Sequence, residues 1–242
     1  MKTKVLITRT KAEGESFFAG HLDIIEPVYY PVFEIVPQYD SRQIHDILSR
    51  LELYHWIVFT SKNTVRILMD ILREYNMTIP AATKIAAVGR KTAEAVRQSG
   101  YAVAFVPTRE DGQGLLAELP AAMTKTDTEV LLPQGEAAPS LLREGLTDLG
   151  LTVTHCTLYA TCPTDPNTLP EIDIAAIAWY LFTSPLSVRF FKELGHNLPD
   201  HCRIAAIGEP TAEALKTHFR APDYVPPKAD GYDIINKIRE SL

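Results

Sequence analysis

The sequence predicts an α/β protein of two similar domains, each a parallel sheet flanked by helices. Three observations carry this. Short apolar runs rich in β-branched residues alternate with longer stretches of helical period, as in strand-helix-strand construction. One such arrangement occurs twice within the 242 residues. The same strand-to-helix turns, marked by Gly, Ser and Thr, recur in both copies.

The repeat is nearly gapless. Ile85-Ala86-Ala87-Val88-Gly89 followed by Thr92-Ala93-Glu94-Ala95 returns as Ile204-Ala205-Ala206-Ile207-Gly208 followed by Thr211-Ala212-Glu213-Ala214, an offset of 119 residues. That offset also carries Val106-Pro107 onto Val225-Pro226 and Asp111-Gly112 onto Asp230-Gly231. Upstream, Phe59-Thr60-Ser61 with Val65-Arg66 returns as Phe182-Thr183-Ser184 with Val188-Arg189 at an offset of 123. A duplicated unit of this size is a domain, and two similar domains imply a shared cleft.

Taken in order, 5–8, 56–59, 85–88 and 103–106 read as strands of the first copy, and 130–132, 178–182, 204–207 and 223–225 as strands of the second. Residues 64–75 and 187–194 place apolar side chains at helical spacing. Ser61 and Ser184 stand where a side-chain oxygen accepts from an orphan helix N–H, and Pro185 suits a first helical position. Gly89 and Gly208 each close a strand before a helix. Such turns lie at the carboxyl ends of parallel strands, where open α/β sheets bind ligands.

Two partitions remain open on these grounds. One cuts the chain in the polar stretch 120–128. The other takes the proline-bracketed extended segments 30–37 and 159–166 as two crossings, making one domain discontinuous.

Composition excludes several classes. A formal net charge of -6 without a basic stripe argues against nucleic acid. The longest apolar stretch, 172–182, is too short to span a bilayer and contains Asp173, and the apolar run after Lys2 is too brief for a signal peptide, so a cytoplasmic location is expected. Cys156, Cys162 and Cys202 form no C-x-x-C pair and imply neither disulfide framework nor zinc site; His155 beside Cys156 reads as a surface histidine next to a small buried thiol. There is no phosphate loop, no dinucleotide fingerprint and no serine elbow.

What remains is a set of hydroxyls at repeated turns: Thr60, Ser61 and Thr92, then Thr183, Ser184 and Thr211. Helix N-termini with nearby hydroxyls suit anionic oxygens, although each residue can equally cap its own helix. Tyr30 and Tyr159 hold equivalent places beside the two crossings, where a phenol at a cleft mouth can donate a proton; a half-buried strand aromatic is the plainer reading. Arg9, directly after the first strand, has the planar fork to meet a carboxylate.

These motifs in this order resemble the uroporphyrinogen-III synthase family, over nearly the whole chain: Phe-Thr-Ser-x-x-x-Val, Ala-Val-Gly-x-x-Thr-Ala-Glu-Ala, Phe-Thr-Ser-Pro-x-x-Val and Ala-Ile-Gly-x-x-Thr-Ala-Glu-Ala-Leu, with Val5-Leu6-Ile7-Thr8-Arg9 and Leu158-Tyr159. The resemblance implies a discontinuous domain of 1–33 and 166–242, a second of 38–158, and a two-stranded connector of 34–37 and 159–165. It implies a lyase without metal or other cofactor: hydroxymethylbilane loses water and closes into a macrocycle, its terminal pyrrole ring inverted through a spirocyclic intermediate. Carried over by position, Tyr159 matches the tyrosine that assists loss of the hydroxyl, Thr92 and Thr211 the cleft threonines, and Ser61 and Ser184 the helix-start serines. Arg9, Thr60 and Thr183 join the expected substrate-binding set. Where the family often carries an Arg-Gly pair and a second arginine, this chain holds Gln134-Gly135 and Pro139, so other donors must meet the carboxylates.

The implied partner is a linear tetrapyrrole, a polyanion that a chain of net charge -6 must recognise through local donors, acting as a monomer without nucleic acid or membrane. Competing readings are a non-catalytic two-domain sensor of small molecules, which would call for an attached DNA-binding or membrane module, and a receiver-like pair, which would call for an acidic pocket with a partnering lysine.

Overall fold

A computed structural model describes residues 2–228 and 231–240. Along the chain lie β1 (Thr3–Ile7), α1 (Lys11–Gly14), β2 (Ile25–Tyr29), β3 (Phe33–Pro37), α2 (Ser41–Ser49), β4 (Trp56–Phe59), α3 (Lys62–Glu74), β5 (Lys84–Ala87) and α4 (Arg90–Gln98). They are followed by α5 (Gly112–Glu118), β6 (Glu129–Gly135), α6 (Leu141–Asp148), β7 (Thr152–Pro163), β8 (Trp179–Phe182), α7 (Pro185–Glu193), β9 (Arg203–Ala206), α8 (Glu209–His218) and α9 (Gly231–Glu240). These form two compact units: Met1–Glu34 with Cys162–Leu242, and Ile35–Thr161.

The unit Ile35–Thr161 is built on a sheet of order β3-β7-β6-β4-β5. Pairings β7-β6, β6-β4 and β4-β5 are parallel. As β3 advances, its partners on β7 recede: the Thr164 N–H donates to the Val32 carbonyl at 3.1 Å and the Gln38 N–H to the Leu158 carbonyl at 2.9 Å, an antiparallel ladder. A parallel sheet must be covered on both faces, and the side-chain alternation of β4 shows how. Ile57 and Phe59 pack with α2, α3 and α4 through Ile44, Ile47, Ile67, Leu68 and Val96. Trp56 and Val58 pack on the other face with Leu115, Leu142 and Leu146 of α5 and α6.

The other unit repeats the plan on a wholly parallel sheet of order β2-β1-β8-β9. Leu6, Tyr180, Phe182 and Ile204 face α7 and α8, meeting Val188, Phe191 and Leu215. Val5, Ile7, Trp179 and Leu181 face α9, meeting Ile234, Ile235 and Ile238.

Several sequence expectations are corrected. Residues 103–106 and 223–225 are not strands; each contributes one bridge, Ala86 to Phe105 and Ala205 to Tyr224. Val130, expected in the second copy, pairs with Trp56 of the first. The polar stretch 120–128 lies within one unit, because Asp127 is tied down there. Its carboxylate accepts from Lys84 Nζ at 2.8 Å, Trp56 Nε1 at 3.1 Å and the Thr124 N–H at 2.9 Å. Asp230, paired by sequence with Asp111, lies outside the described residues; Asp111 itself caps α5, accepting from the Gly114 N–H at 2.8 Å.

Asp127 is 8% exposed, and its three donors hold its carboxyl below the ordinary value of 3.8 despite burial, which pushes the other way. Its contribution is therefore complete above about pH 4 and fades as acid protonates it. Asp127→Ala should cost about 2 to 3 kcal/mol at neutral pH, since it strands three donors while Lys84 keeps some solvent. Urea titrations should show the gap from wild type narrowing below pH 4; a gap independent of pH would remove the carboxylate from the stability of this edge.

Candidate active site

In the unit Ile35–Thr161 the site residues gather at the carboxyl edge of the sheet. Ser61 caps α3 in a reciprocal box: its Oγ accepts from the Thr64 N–H at 3.2 Å, and Thr64 Oγ1 accepts from the Ser61 N–H at 3.3 Å. Ser184 does the same for α7 with Ser187, at 3.1 and 3.3 Å. The capping reading thus holds for both serines. Ser61 has one partner more: its Oγ lies 3.3 Å from the phenolic oxygen of Tyr159.

Tyr159 arrives there through an irregularity in β7. Gln134 pairs with Thr157 and Gly135 with Tyr159, so Leu158 is an extra residue in the ladder. An unbroken strand would send Leu158 and Tyr159 to opposite faces; with the bulge, both pack against the core beneath α3. The ring then lies over Gly135. A Cβ at that glycine would stand 2.6 Å from Tyr159 Cζ and 2.9 Å from its oxygen, so the close approach requires glycine.

Thr60 is half-buried at the end of β4, and Thr92 is 7% exposed in the first turn of α4. That turn already holds a carboxylate: the Arg90 N–H donates to Glu110 at 2.8 Å, and the Arg90 guanidinium pairs with the same group. Glu110 is held below its usual carboxylate range chiefly by the backbone N–H of Arg90 and then by its side chain.

In the other unit Arg9 Nε donates to Thr183 Oγ1 at 2.8 Å, fixing the guanidinium beside the turn after β8. Arg9 has no ion pair among the described residues. Thr211 is 2% exposed in the first turn of α8, which follows Gly208 and carries Pro210 near its start. Tyr30 is a core residue of its own unit. It is 4% exposed, and its phenolic oxygen meets His196 Nε2 at 2.7 Å inside a cluster with Phe191. Burial pushes the phenol up and the imidazole down, so both stay neutral around pH 7.

Cys156 is 1% exposed and its thiol is pushed up to about 12 by burial, which suits a core residue rather than a ligand. Among the described residues no three His, Cys, Asp or Glu side chains gather as a metal site, and no helix is long and apolar enough to cross a membrane. Sequence reasoning missed Glu110 and His196, whose contacts span 20 and 166 residues. The Leu158 bulge was also missed; Gly135 after an apolar run was its only local sign.

A pair of similar α/β units, each with hydroxyl residues and helix starts at its strand ends, defines a duplicated α/β protein. The family model described as HEM4, uroporphyrinogen-III synthase HemD, matches residues 23–236. The porphyrin biosynthesis protein HemD of Ruminiclostridium josui is 28% identical over 223 residues, 89% of this chain and 44% of that protein, so the chain spans less than half of that relative. The uroporphyrinogen-III synthase of Chlorobaculum parvum is 28% identical over 255 residues, covering 100% of both. The solved uroporphyrinogen-III synthetase of Helicobacter pylori shares the fold, with a TM-score of 0.67 at 18% identity over 100% of both chains. The chain belongs to the uroporphyrinogen-III synthase family, enzymes of porphyrin biosynthesis.

Gly135→Ala should force the Tyr159 ring off Ser61 and cost about 1 to 3 kcal/mol of stability. Tyrosine-ring NMR shifts and urea midpoints read both effects; an unmoved Tyr159 resonance would show that the ring does not depend on the glycine.

Proposed function

We propose that the chain converts hydroxymethylbilane to uroporphyrinogen III with Tyr159 as the proton donor, in the cytoplasm and as a monomer. The observation that carries this reading is the hydrogen bond between Tyr159 and Ser61, which holds a phenol at the strand edge beside a helix start. The phenol lends its proton to the leaving hydroxyl, which departs as water. The resulting electron-poor carbon is attacked by the substituted α-carbon of the terminal pyrrole ring to give a spirocycle. The bond from that α-carbon to its old methylene breaks, the ring's free α-carbon closes on the electron-poor methylene so released, and the proton lost there as aromaticity returns restores the phenol. Ser61 Oγ can accept from the phenol at rest and donate to the phenolate in between. Ionisation of such a hydroxyl is easy, so most of the work is to hold one conformer that closes with inversion.

Arg9, Thr60, Thr92, Thr183, Ser184 and Thr211 are the proposed contacts to acetate and propionate arms. Arg9 supports this best, since Thr183 orients its fork and leaves its terminal nitrogens available. Thr183 can donate its own proton while accepting from Arg9.

Purified protein given freshly generated hydroxymethylbilane, with no metal or nucleotide added, should yield the type III isomer; type I product alone would reject the assignment. Tyr159→Phe should lower kcat about 10- to 100-fold, the low end for general acid catalysis, because the substrate ionises readily. The same change removes one hydrogen bond and should cost about 1 kcal/mol or less. Unchanged turnover would take Tyr159 out of the chemistry.

A further inference from the structure

The unit Ile35–Thr161 has a cavity of about 310 Å³ at the amino ends of its strands, among Met123, Thr128 and Leu151, but the one at the carboxyl edge, beside the site, is smaller, about 200 Å³, and differently made. Its walls include Val88, Pro139, Leu141 and Leu142, and its polar groups include the Thr60 hydroxyl and the Gln134 amide. No lining residue carries a charge. Gln134 is 3% exposed, yet its amide has no hydrogen-bond partner among the described residues. Nor is it sealed: among the described residues the fully enclosed, unpartnered side-chain polar atom is Thr164 Oγ1. The amide therefore opens on the cavity. A buried amide without a partner is costly, and a ligand that completes it recovers that cost.

We propose that this cavity is a subsite for one pyrrole ring of the substrate, with the Gln134 side-chain oxygen accepting the ring N–H and the carboxylate arms directed out of it. The inference rests on the synthase reading for its substrate class, and three physical facts select the ring. The volume lies below the roughly 300 Å³ at which pockets begin to enclose a whole drug-sized ligand, so it takes one ring and not a tetrapyrrole. Apolar walls suit a flat π-rich body. An uncharged lining disfavours a carboxylate, because desolvating the anion finds no compensating cation. The neutral Gln134 amide thus reads the ring by its N–H, while the carboxylate arms pass out of the cavity to the Thr60 hydroxyl and to donors beyond it.

The test uses the full chain and two probes, a monopyrrole bearing one acetate and one propionate arm and its N-methyl counterpart. In NMR titrations of labelled protein, the N–H probe should shift the Gln134 side-chain amide and the Leu142 methyls, and should bind about 10-fold more tightly than the N-methyl probe, about 1.4 kcal/mol. Gln134→Leu should abolish that preference without lowering the urea midpoint. Equal binding of the two probes, a preference that survives Gln134→Leu, or no shift at Gln134 and Leu142 at any probe concentration would overturn the subsite. Should the variant fail to fold, the two probes on wild-type protein decide. Type III product from the wild type alongside such a failure would reject the subsite alone; its absence would reject the synthase reading, whatever the probes show.

Discussion

Burying a parallel sheet on both faces forces each strand to be followed by a helix that returns across it, so the helix starts collect along one edge. The turn residues of the candidate site are a by-product of that constraint. Ser61 caps α3 because β4 ends there, and Ser184 caps α7 because β8 does. The edge is rich in orphan N–H groups before any side chain is chosen. The two serine hydroxyls at these turns each stabilise their helix by about 1 kcal/mol, whatever else they do.

Tyr159 is the exception, because it comes from the middle of β7 rather than from a turn. A tyrosine on a regular strand there would point away from Ser61 or leave Leu158 in solvent. The extra residue resolves the conflict by letting both enter one core, and the ring fits only because Gly135 on the neighbouring strand has no side chain. The bulge and the glycine are thus one device in two pieces. A phenol clamped between a backbone and a hydroxyl has little freedom left to lose, which is the condition the proposed proton-donor role would need for orientation to contribute to rate.

How much of this was legible in the sequence follows the range of each interaction. Strands such as 56–59 and helices such as 64–75 come from local periodicity, and the structure gives Trp56–Phe59 and Lys62–Glu74. The serine caps come from a spacing of three residues and are found intact. Residues 103–106 have strand composition and lie along the outer side of the edge strand β5, but the Ala104 and Phe105 N–H groups both turn to the Ile85 carbonyl and only one bridge, Ala86 to Phe105, forms. Tyr30 looked equivalent to Tyr159 because both follow apolar runs beside a crossing. His196, 166 residues away, makes Tyr30 a core residue, and no local pattern announces such a pairing.

The two copies also part company where their likeness is greatest. Thr92 and Thr211 occupy the same place in the repeated Thr-Ala-Glu-Ala turn, yet the first turn of α4 is held by Glu110, and the same offset of 119 residues leads from Glu110 to an alanine at 229. Arg90 at the start of α4 corresponds to Glu209 at the start of α8. The two copies thus share the strand-to-helix turn, and in the α4 copy a carboxylate from the chain itself occupies it. For a chain of net charge -6 this is economical electrostatics, because a carboxylate on a helix start stabilises the helix and adds no long-range repulsion beyond its own charge. It also means that equal sequence at the two turns does not give equal chemistry: a substrate arm can use the α4 amides only by displacing Glu110 and its bonds to Arg90. Under the proposed function, the α4 turn would offer the Thr92 hydroxyl rather than its amides, and Arg9, oriented by Thr183, is the cation that the proposal assigns to a carboxylate arm.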